Sequence, residues 1–463
     1  MADAATPQAS ALEQPRFWTL DRVADALGDG PRGPTALTRI ATDTRSVGAG
    51  DLFVALKGEK FDAHQFLADA VAKGAAAVVV HDAARGRNLG VPVYVVDDTT
   101  RALGRLARYR RRVWGRPVVG VVGTNGKTST KELVRAALGS RLRVHATIGN
   151  YNNLVGVPQT LFALPDDADI AVIEMGTNSP GEVAALRVIV EPDIVVVTSI
   201  AEEHLEGLGD LEGVLREEIS ACDGVPVAIT PASQPEVAEA ARARAKRVVS
   251  AGLDAGDVRA SRFEIAPDGA GSLELEGTEV RVPLRGVHNL RNAMLALATA
   301  CEAGISVDDA ARGIAAMPSP PMRVSFESHG GVTVINDAYN SNPGSARAAL
   351  ELLEHAGAGR QRVAVLGTML ELGAQADRLH DEVARAALAM PIDLVIGVGG
   401  FADALARVAP GDARAVVGAD PTAAWDAARS RLREDAVILL KGSRGVRLER
   451  LVPLISEWAS AAR

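Results

Sequence analysis

Gly-Val-Val-Gly-Thr-Asn-Gly-Lys-Thr-Ser-Thr, residues 120–130, is the stretch on which the reading of this chain turns. It leaves an apolar, β-branched run at 117–122 and enters a helical pattern at 131–138, the order strand, loop, helix. Glycines at 123 and 126 let backbone N–H groups turn inward around a phosphate chain. Lys127 then reaches the outer phosphates, the Thr128 hydroxyl is placed for Mg²⁺, and the helix N-terminus adds partial positive charge. Gly123, Thr124, Asn125, Gly126, Lys127, Thr128 and Ser129 are therefore the expected nucleotide contacts. Val121 stands where the general phosphate-loop pattern has its leading glycine. The bland alternative is a Gly-rich turn that happens to precede a helix. The loop points to a nucleoside triphosphate and says nothing about what accepts the phosphate.

Downstream, a second apolar run ends in AVIEMGTNSPGEV (171–183), which puts Glu174 at the carboxyl end of a strand. Ligands of open α/β sheets sit at that edge, and a carboxylate beside a phosphate loop suits Mg²⁺, which prefers oxygen donors. A third run ends in VVVTSIAEEHLEGLG (195–209), with His204 just beyond it on the same expected rim. A lone histidine is more often structural, so its place on the rim is what recommends it. Glu217 and Glu218 follow on a helical segment, where a pair of glutamates is usually a solvated face.

The bulk properties fit an enzyme core. At 463 residues the chain exceeds one ordinary core and suggests roughly two to four domains. Hydrophobic residues make up 47% and charged residues 23%, as in ordinary globular proteins. A formal charge of −8 argues against broad binding to nucleic acid or an anionic membrane. Two cysteines, Cys222 and Cys301, make neither a disulfide framework nor a thiolate metal cluster. No basic region followed by an apolar run opens the sequence, and no apolar stretch approaches the roughly 20 residues that span a bilayer. A cytoplasmic location is the expectation, with residues 1–15 as a loose tail.

Three α/β domains in series are predicted, each alternating buried strands with helices. The first, 16–112, has short strands such as 52–56 and 77–80 and ends in a basic linking helix at 101–116. The second, 113–321, is a P-loop-type domain with a parallel sheet, closed by the Pro-rich stretch MPSPPM at 317–322. The third, 322–463, repeats the pattern with strands near 332–335, 363–366, 394–398 and 436–440, and reads as Rossmann-like.

Taken in order, GTNGKT, the Glu of IEMG, the His of EEHLEG and RGVHNLRNAMLALA (285–298) resemble the Mur ligase family. IGNYNNLVGVPQTL (148–161) and INDAYNSNPGSARAAL (335–350) are similar to its MurF type, and ATDTRSVGAGDLFVALKGEKFDAHQFL (41–67) to its UDP-binding domain. The resemblance covers nearly all of 40–450. It implies a ligase that uses ATP and Mg²⁺ to join D-alanyl-D-alanine to UDP-N-acetylmuramoyl-tripeptide through an acyl phosphate, in peptidoglycan precursor synthesis. It implies catalytic roles for Lys127, Glu174, His204, Glu218 and Arg323, with Thr128, Glu174, His204 and Glu218 at metal and Asn289, Asn292, Arg323 and Asp337 at nucleotide. Asp43, Thr44, Arg45, Lys57 and Gly58, with Asn150, Asn152 and Asn153, would meet the UDP substrate. KGSRG (441–445) would line the amino-substrate side, and a monomer without nucleic-acid partners or membrane insertion is expected.

One departure stands out. The family commonly carries, at the position of Glu218, a lysine whose CO₂ adduct binds the second Mg²⁺, yet no lysine lies between Lys131 and Lys246. Glu218 already carries a carboxylate and is expected to replace the carbamate; the alternative is a surface Glu218, with Glu217 or water at the metal. Two rival enzymes are disfavoured. A MurE-type ligase adding one amino acid should show Asp-Asn-Pro-Arg where this chain has Asn342-Pro343-Gly344-Ser345, and a folylpolyglutamate-type ligase should lack the N-terminal block. A non-catalytic nucleotide-binding relative is the rival from another class.

Overall fold

The computed structural model describes residues 13–58, 61–266, 269–318 and 324–461. The expected N-terminal tail and the Pro-rich stretch at 317–322 lie largely outside them. The chain separates into two compact units: Met1–Val121, Leu142–Thr177 and Gly181–Val195 form one, and Val122–Arg141, Asn178–Pro180 and Val196–Arg463 the other.

In the first unit, strands Ile40–Ala41, Leu52–Val54, Ala77–Val80 and Val93–Val95 pair in that order, all parallel. Leu52–Val54 and Ala77–Val80 are wholly buried, as a parallel strand covered on both faces should be. The linking helix Thr99–Trp114 starts where Asp98 accepts a hydrogen bond from the Arg101 N–H and stops at Gly115, whose φ of 70° ends the helix cheaply. Several of its arginines are paired. Arg108 and Arg112 grip Glu191, and Arg111 donates to the Val190 carbonyl at 2.9 Å.

A seven-stranded sheet has the order Val258–Arg259, Val248–Gly252, Val227–Pro231, Ile194–Val197, Val118–Val122, Ile170–Glu174, Val144–Ala146. Each of the three strands expected from the apolar runs is present. The strand Val118–Val122 is entirely buried, and a Cβ at Gly120 would come within 2.8 Å of Met175, so glycine here lets neighbouring side chains close in. Sequence reading expected only a parallel sheet in this block. The structure adds a three-stranded antiparallel sheet, Arg262–Ile265, Gly271–Leu275 and Thr278–Val282. Its alternating burial and tight turns, such as Gly277 at φ 80°, give a weaker apolar signal than a fully buried run.

The C-terminal sheet, in the second unit, runs Ser325–His329, Val332–Asp337, Val437–Lys441, Arg362–Gly367, Leu394–Val398, Ala415–Gly418. Only its first pair is antiparallel. The chain passes from Val332–Asp337 to Arg362–Gly367 and leaves a gap that Val437–Lys441 later fills. The loops leaving these three strands therefore flank a topological switch point, where α/β sheets bind ligands. No helix among the described residues is long and apolar enough to cross a membrane.

Candidate active site

Construction begins at the phosphate loop. Gly123 and Gly126 take φ of 117° and 80°, a backbone region that side chains rarely adopt. The helix Lys127–Gly139 follows directly, with Gly126 at its N-cap and no side chain capping it, so its first N–H groups face the loop's concavity. Other elements hold the loop in place. Asn125 N–H donates to Ser199 Oγ at 3.2 Å, and Thr124 N–H to the Ser199 carbonyl at 2.7 Å. A Cβ at Gly126 would lie 2.8 Å from Asn292 Nδ2, which places HNLRN directly behind the loop. Asn292 Nδ2 donates to Asn289 Oδ1 at 3.2 Å, and Asn289 Nδ2 donates to the Arg285 carbonyl at 2.8 Å.

Lys127 folds back over the loop and donates to the carbonyls of Gly123, at 2.5 Å, and Thr124, at 3.1 Å. Its ammonium lies 3.8 Å from Glu203. Ser129 is buried in the first turn of the helix, beside Thr128.

Glu218 is not a solvated residue. It is buried on the helix Leu211–Ile219 and accepts the Gly123 N–H at 2.8 Å. Burial pushes its carboxyl up to about 7, against the pull of Lys127 and the Gly123 N–H. Its alternative, Glu217, is buried as well. His204 takes a left-handed backbone, φ 53° and ψ 32°, ahead of the turn Leu205–Leu208. Strain of that kind in a non-glycine residue clusters at functional sites. Its Nδ1 lies 2.5 Å from Glu371 and its Nε2 3.9 Å from Glu203.

The C-terminal segment reaches the same loop. Asn342 caps the helix Pro343–Ala356 by accepting the Ser345 N–H, and its Nδ2 donates to Asn125 Oδ1 at 2.8 Å. Asn340 Nδ2 donates to Glu203 Oε1 at 2.8 Å. Asp337 pairs with the buried Lys441 at 3.0 Å. The nearby His288 imidazole is held below its usual range, by burial first, while Asp337 opposes the shift. Arg323 lies outside the described residues.

In the first unit, Glu174 is buried at the end of its strand, where Asn152 Nδ2 donates to its Oε1 at 3.0 Å. The Glu174 N–H donates to Thr147 Oγ1 at 3.0 Å. Asn152, expected at substrate, thus orients the carboxylate expected at metal. Asn153 accepts the Val155 and Gly156 N–H groups at the start of the helix Gly156–Phe162, and Asn150 is exposed. The two loops expected to hold UDP leave adjacent parallel strands, with Ile40 opposite Leu52. Asp43 accepts from Arg45, which holds its carboxyl below the usual range, and the Thr44 carbonyl accepts from Lys73 at 2.7 Å. The Lys57 and Asp62 backbones pair in an isolated antiparallel β-bridge, and the Gly58 N–H donates to the Phe61 carbonyl at 2.8 Å. Gln159 donates to Thr42 at 3.4 Å, linking the helix after the asparagine run to the first of these loops.

Sequence reading missed Glu203 and Asn340 as participants, and placed Lys441 only on the amino-substrate side, not against Asp337 and Asn340. Glu203 stood next to the chosen His204, and Asn340 and Lys441 lay inside quoted motifs, but nothing in one dimension pairs them. Among the described residues no three His, Cys, Asp or Glu side chains converge as a closed metal cage.

Comparison with known proteins places the chain. Three family models match it: the Mur ligase family catalytic domain over 36–111, the Mur ligase middle domain over 121–300 and the Mur ligase glutamate ligase domain over 322–444. A UDP-N-acetylmuramoyl-tripeptide–D-alanyl-D-alanine ligase of Bacillus subtilis (strain 168) is 34% identical, covering 90% of this chain and 93% of that protein. The crystal structure of MurF from Acinetobacter baumannii superposes with a TM-score of 0.87 at 31% identity, over 96% of this chain and 100% of that one. MurF ligase from Thermotoga maritima in complex with ADP gives a TM-score of 0.82 at 25% identity, over 92% and 98%.

Proposed function

This chain belongs to the Mur ligase family, and we propose that it joins D-alanyl-D-alanine to UDP-N-acetylmuramoyl-tripeptide in peptidoglycan precursor synthesis. It is an ATP-dependent amide-bond ligase with the three-domain α/β architecture of its family. The observation that carries the reading is the phosphate loop itself. Its lysine, glycines and helix N-terminus are backed by Asn292 and met by Asn342 from the C-terminal segment.

Two anions must meet in this reaction, a substrate carboxylate and the γ-phosphate, so fixed cations and N–H groups have to offset their repulsion. Lys127 and the N–H groups of 123–129 take the phosphates. Asn289 and Asn292 support the nucleotide, Asp337 takes the ribose hydroxyls, and Arg323 faces the γ-phosphate. The terminal carboxylate of the tripeptide attacks the γ-phosphorus, ADP leaves, and the amine of the dipeptide displaces phosphate from the acyl phosphate.

The donors present fit Mg²⁺: a hydroxyl, carboxylates and one imidazole, with Glu174 buried and oriented by Asn152. Thr128 and Glu174 would hold one ion, and His204 with Glu218 a second. Mg²⁺ completes its shell with phosphate oxygens and water, so a closed protein cage is not needed. When bound, the ions would offset charge on the phosphoryl oxygens. Glu218 has one oxygen on the Gly123 N–H, which leaves the other for metal.

Asp43, Thr44, Arg45, Lys57, Gly58 and the asparagines 150, 152 and 153 serve the UDP substrate, on domains bounded at 16–112, 113–321 and 322–463. The three family matches each fall inside one of those spans. A cytoplasmic monomer completes the reading.

The test is to incubate the protein with ATP, Mg²⁺, D-alanyl-D-alanine and UDP-muramoyl-tripeptides ending in diaminopimelate or lysine. Phosphate release should require both substrates, and product mass should show the added dipeptide. Release supported by a single amino acid in place of the dipeptide overturns the assignment.

A further inference from the structure

Glu203 precedes the His204 of EEHLEG and was given no role there, yet Lys127 and Asn340, from separate segments, converge on it beside His204. Its side chain is only 10% exposed and that of Lys127 only 14%. One carboxylate oxygen, Oε2, lies 3.8 Å from Lys127 Nζ. The other, Oε1, accepts from Asn340 Nδ2 at 2.8 Å and lies 3.9 Å from His204 Nε2. Asn340 is itself pinned, because the buried Lys441 donates to its carbonyl and pairs with Asp337 at 3.0 Å. A path of polar contacts thus runs from the strand Val437–Lys441 through Asn340 and Glu203 to the phosphate-loop lysine.

We propose that Glu203 is a positioning residue that holds Lys127 back on its own loop and competes with nucleotide phosphate for it, with Asn340 setting the orientation of the carboxylate. The inference rests on the reading that Lys127 meets the phosphates. A largely buried ammonium needs partners before nucleotide arrives, and here it has the Gly123 and Thr124 carbonyls and the facing carboxylate. To meet phosphate, Lys127 leaves those carbonyls, and the negative charge of Glu203 opposes that departure. Because Asn340 fixes the carboxylate, the C-terminal segment bears on whether the lysine is available.

The test is calorimetric titration of the full chain with ADP, first in EDTA and then with Mg²⁺. Glu203→Gln keeps the shape and the acceptor for Asn340 but removes the charge. It should bind metal-free ADP about fivefold more tightly than the unaltered protein, with the gain shrinking as salt is raised. In a Lys127→Ala background the same substitution should gain nothing, and in an Asn340→Ala background its gain should fall below about twofold. Unchanged affinity in Glu203→Gln, or a gain that survives in Lys127→Ala, overturns the proposal. So does weakened binding seen only with Mg²⁺, which would make Glu203 a metal ligand instead. If Glu203→Gln does not fold, Glu203→Asp takes its place, with a gain in the same direction expected as the shorter side chain draws the carboxylate away from the lysine. Lys127→Ala alone separates the two readings: if it leaves ADP affinity intact, the phosphate-loop reading itself fails.

Discussion

The phosphate loop and the UDP-side loops were both read from short polar motifs, and they are built in opposite ways. Around 123–129, apart from Lys127 folding onto its own loop, the contacts come from far along the chain: Glu218 on Gly123, Ser199 and Asn342 on Asn125, Asn292 behind Gly126. Around 43–58, contacts are mostly local, Lys73 on the Thr44 carbonyl being an exception. Asp43 pairs with Arg45 two residues on, Gly58 bonds Phe61, and the Arg45 side chain is 84% exposed. A group that must meet a transferring phosphoryl needs its geometry imposed from several sides, whereas a substrate handle needs only complementary charge and hydrogen bonds. Damage at the first should therefore appear in kcat, and damage at the second in KM.

Five substitutions probe that contrast. The largest effect is expected from Lys127→Ala, which should lower kcat/KM about a hundredfold or more with ATP varied in steady-state kinetics; a loss under about tenfold would remove the lysine from the phosphoryl path. Gly126→Ala should cost about 1–3 kcal/mol in thermal unfolding, because it forces φ of 80° on alanine and brings Cβ within 2.8 Å of Asn292. Gly58→Ala, whose Cβ would meet nothing among the described residues closer than the Phe61 carbonyl at 3.9 Å, should stay within about 0.5 kcal/mol. Equal costs at the two glycines would break the comparison.

Asn152→Ala tests whether an asparagine expected at substrate acts through Glu174 instead. It should raise the Mg²⁺ concentration for half-maximal activity about tenfold and leave the KM for the UDP substrate alone. A change in that KM only would return Asn152 to the substrate. The smallest kinetic effect is expected at Arg45→Ala, a rise of about threefold in KM for the UDP substrate at unchanged kcat. A bicarbonate dependence of turnover, tested separately, would contradict the assignment of Glu218 in place of a carbamate.

Much of this was legible before any coordinates. The three apolar runs, the glycines and the Lys-Thr pair announce strand, loop and helix, because a buried parallel strand must be apolar and a phosphate cradle must be free of side chains. Asp98 and Gly115 at the ends of the linking helix are equally local signals. The antiparallel sheet within 262–282 was missed because its strands are only half buried and so lack a continuous apolar run.

What the sequence determined by itself is chemistry confined to short spans: a nucleotide loop, two carboxylates, a histidine and the order of motifs that marks the family. Tertiary structure alone decided which side chain serves which. It turned Asn152 toward Glu174, placed the buried Glu218 on the Gly123 N–H, and brought Asn340 to Glu203 across 137 positions of sequence. The physical reason is that a hydrogen bond needs its partners within about 3 Å and well aligned, a condition set by how elements pack and invisible in residue spacing. The loop at 120–130 was recognisable alone, but the hold on its lysine was not.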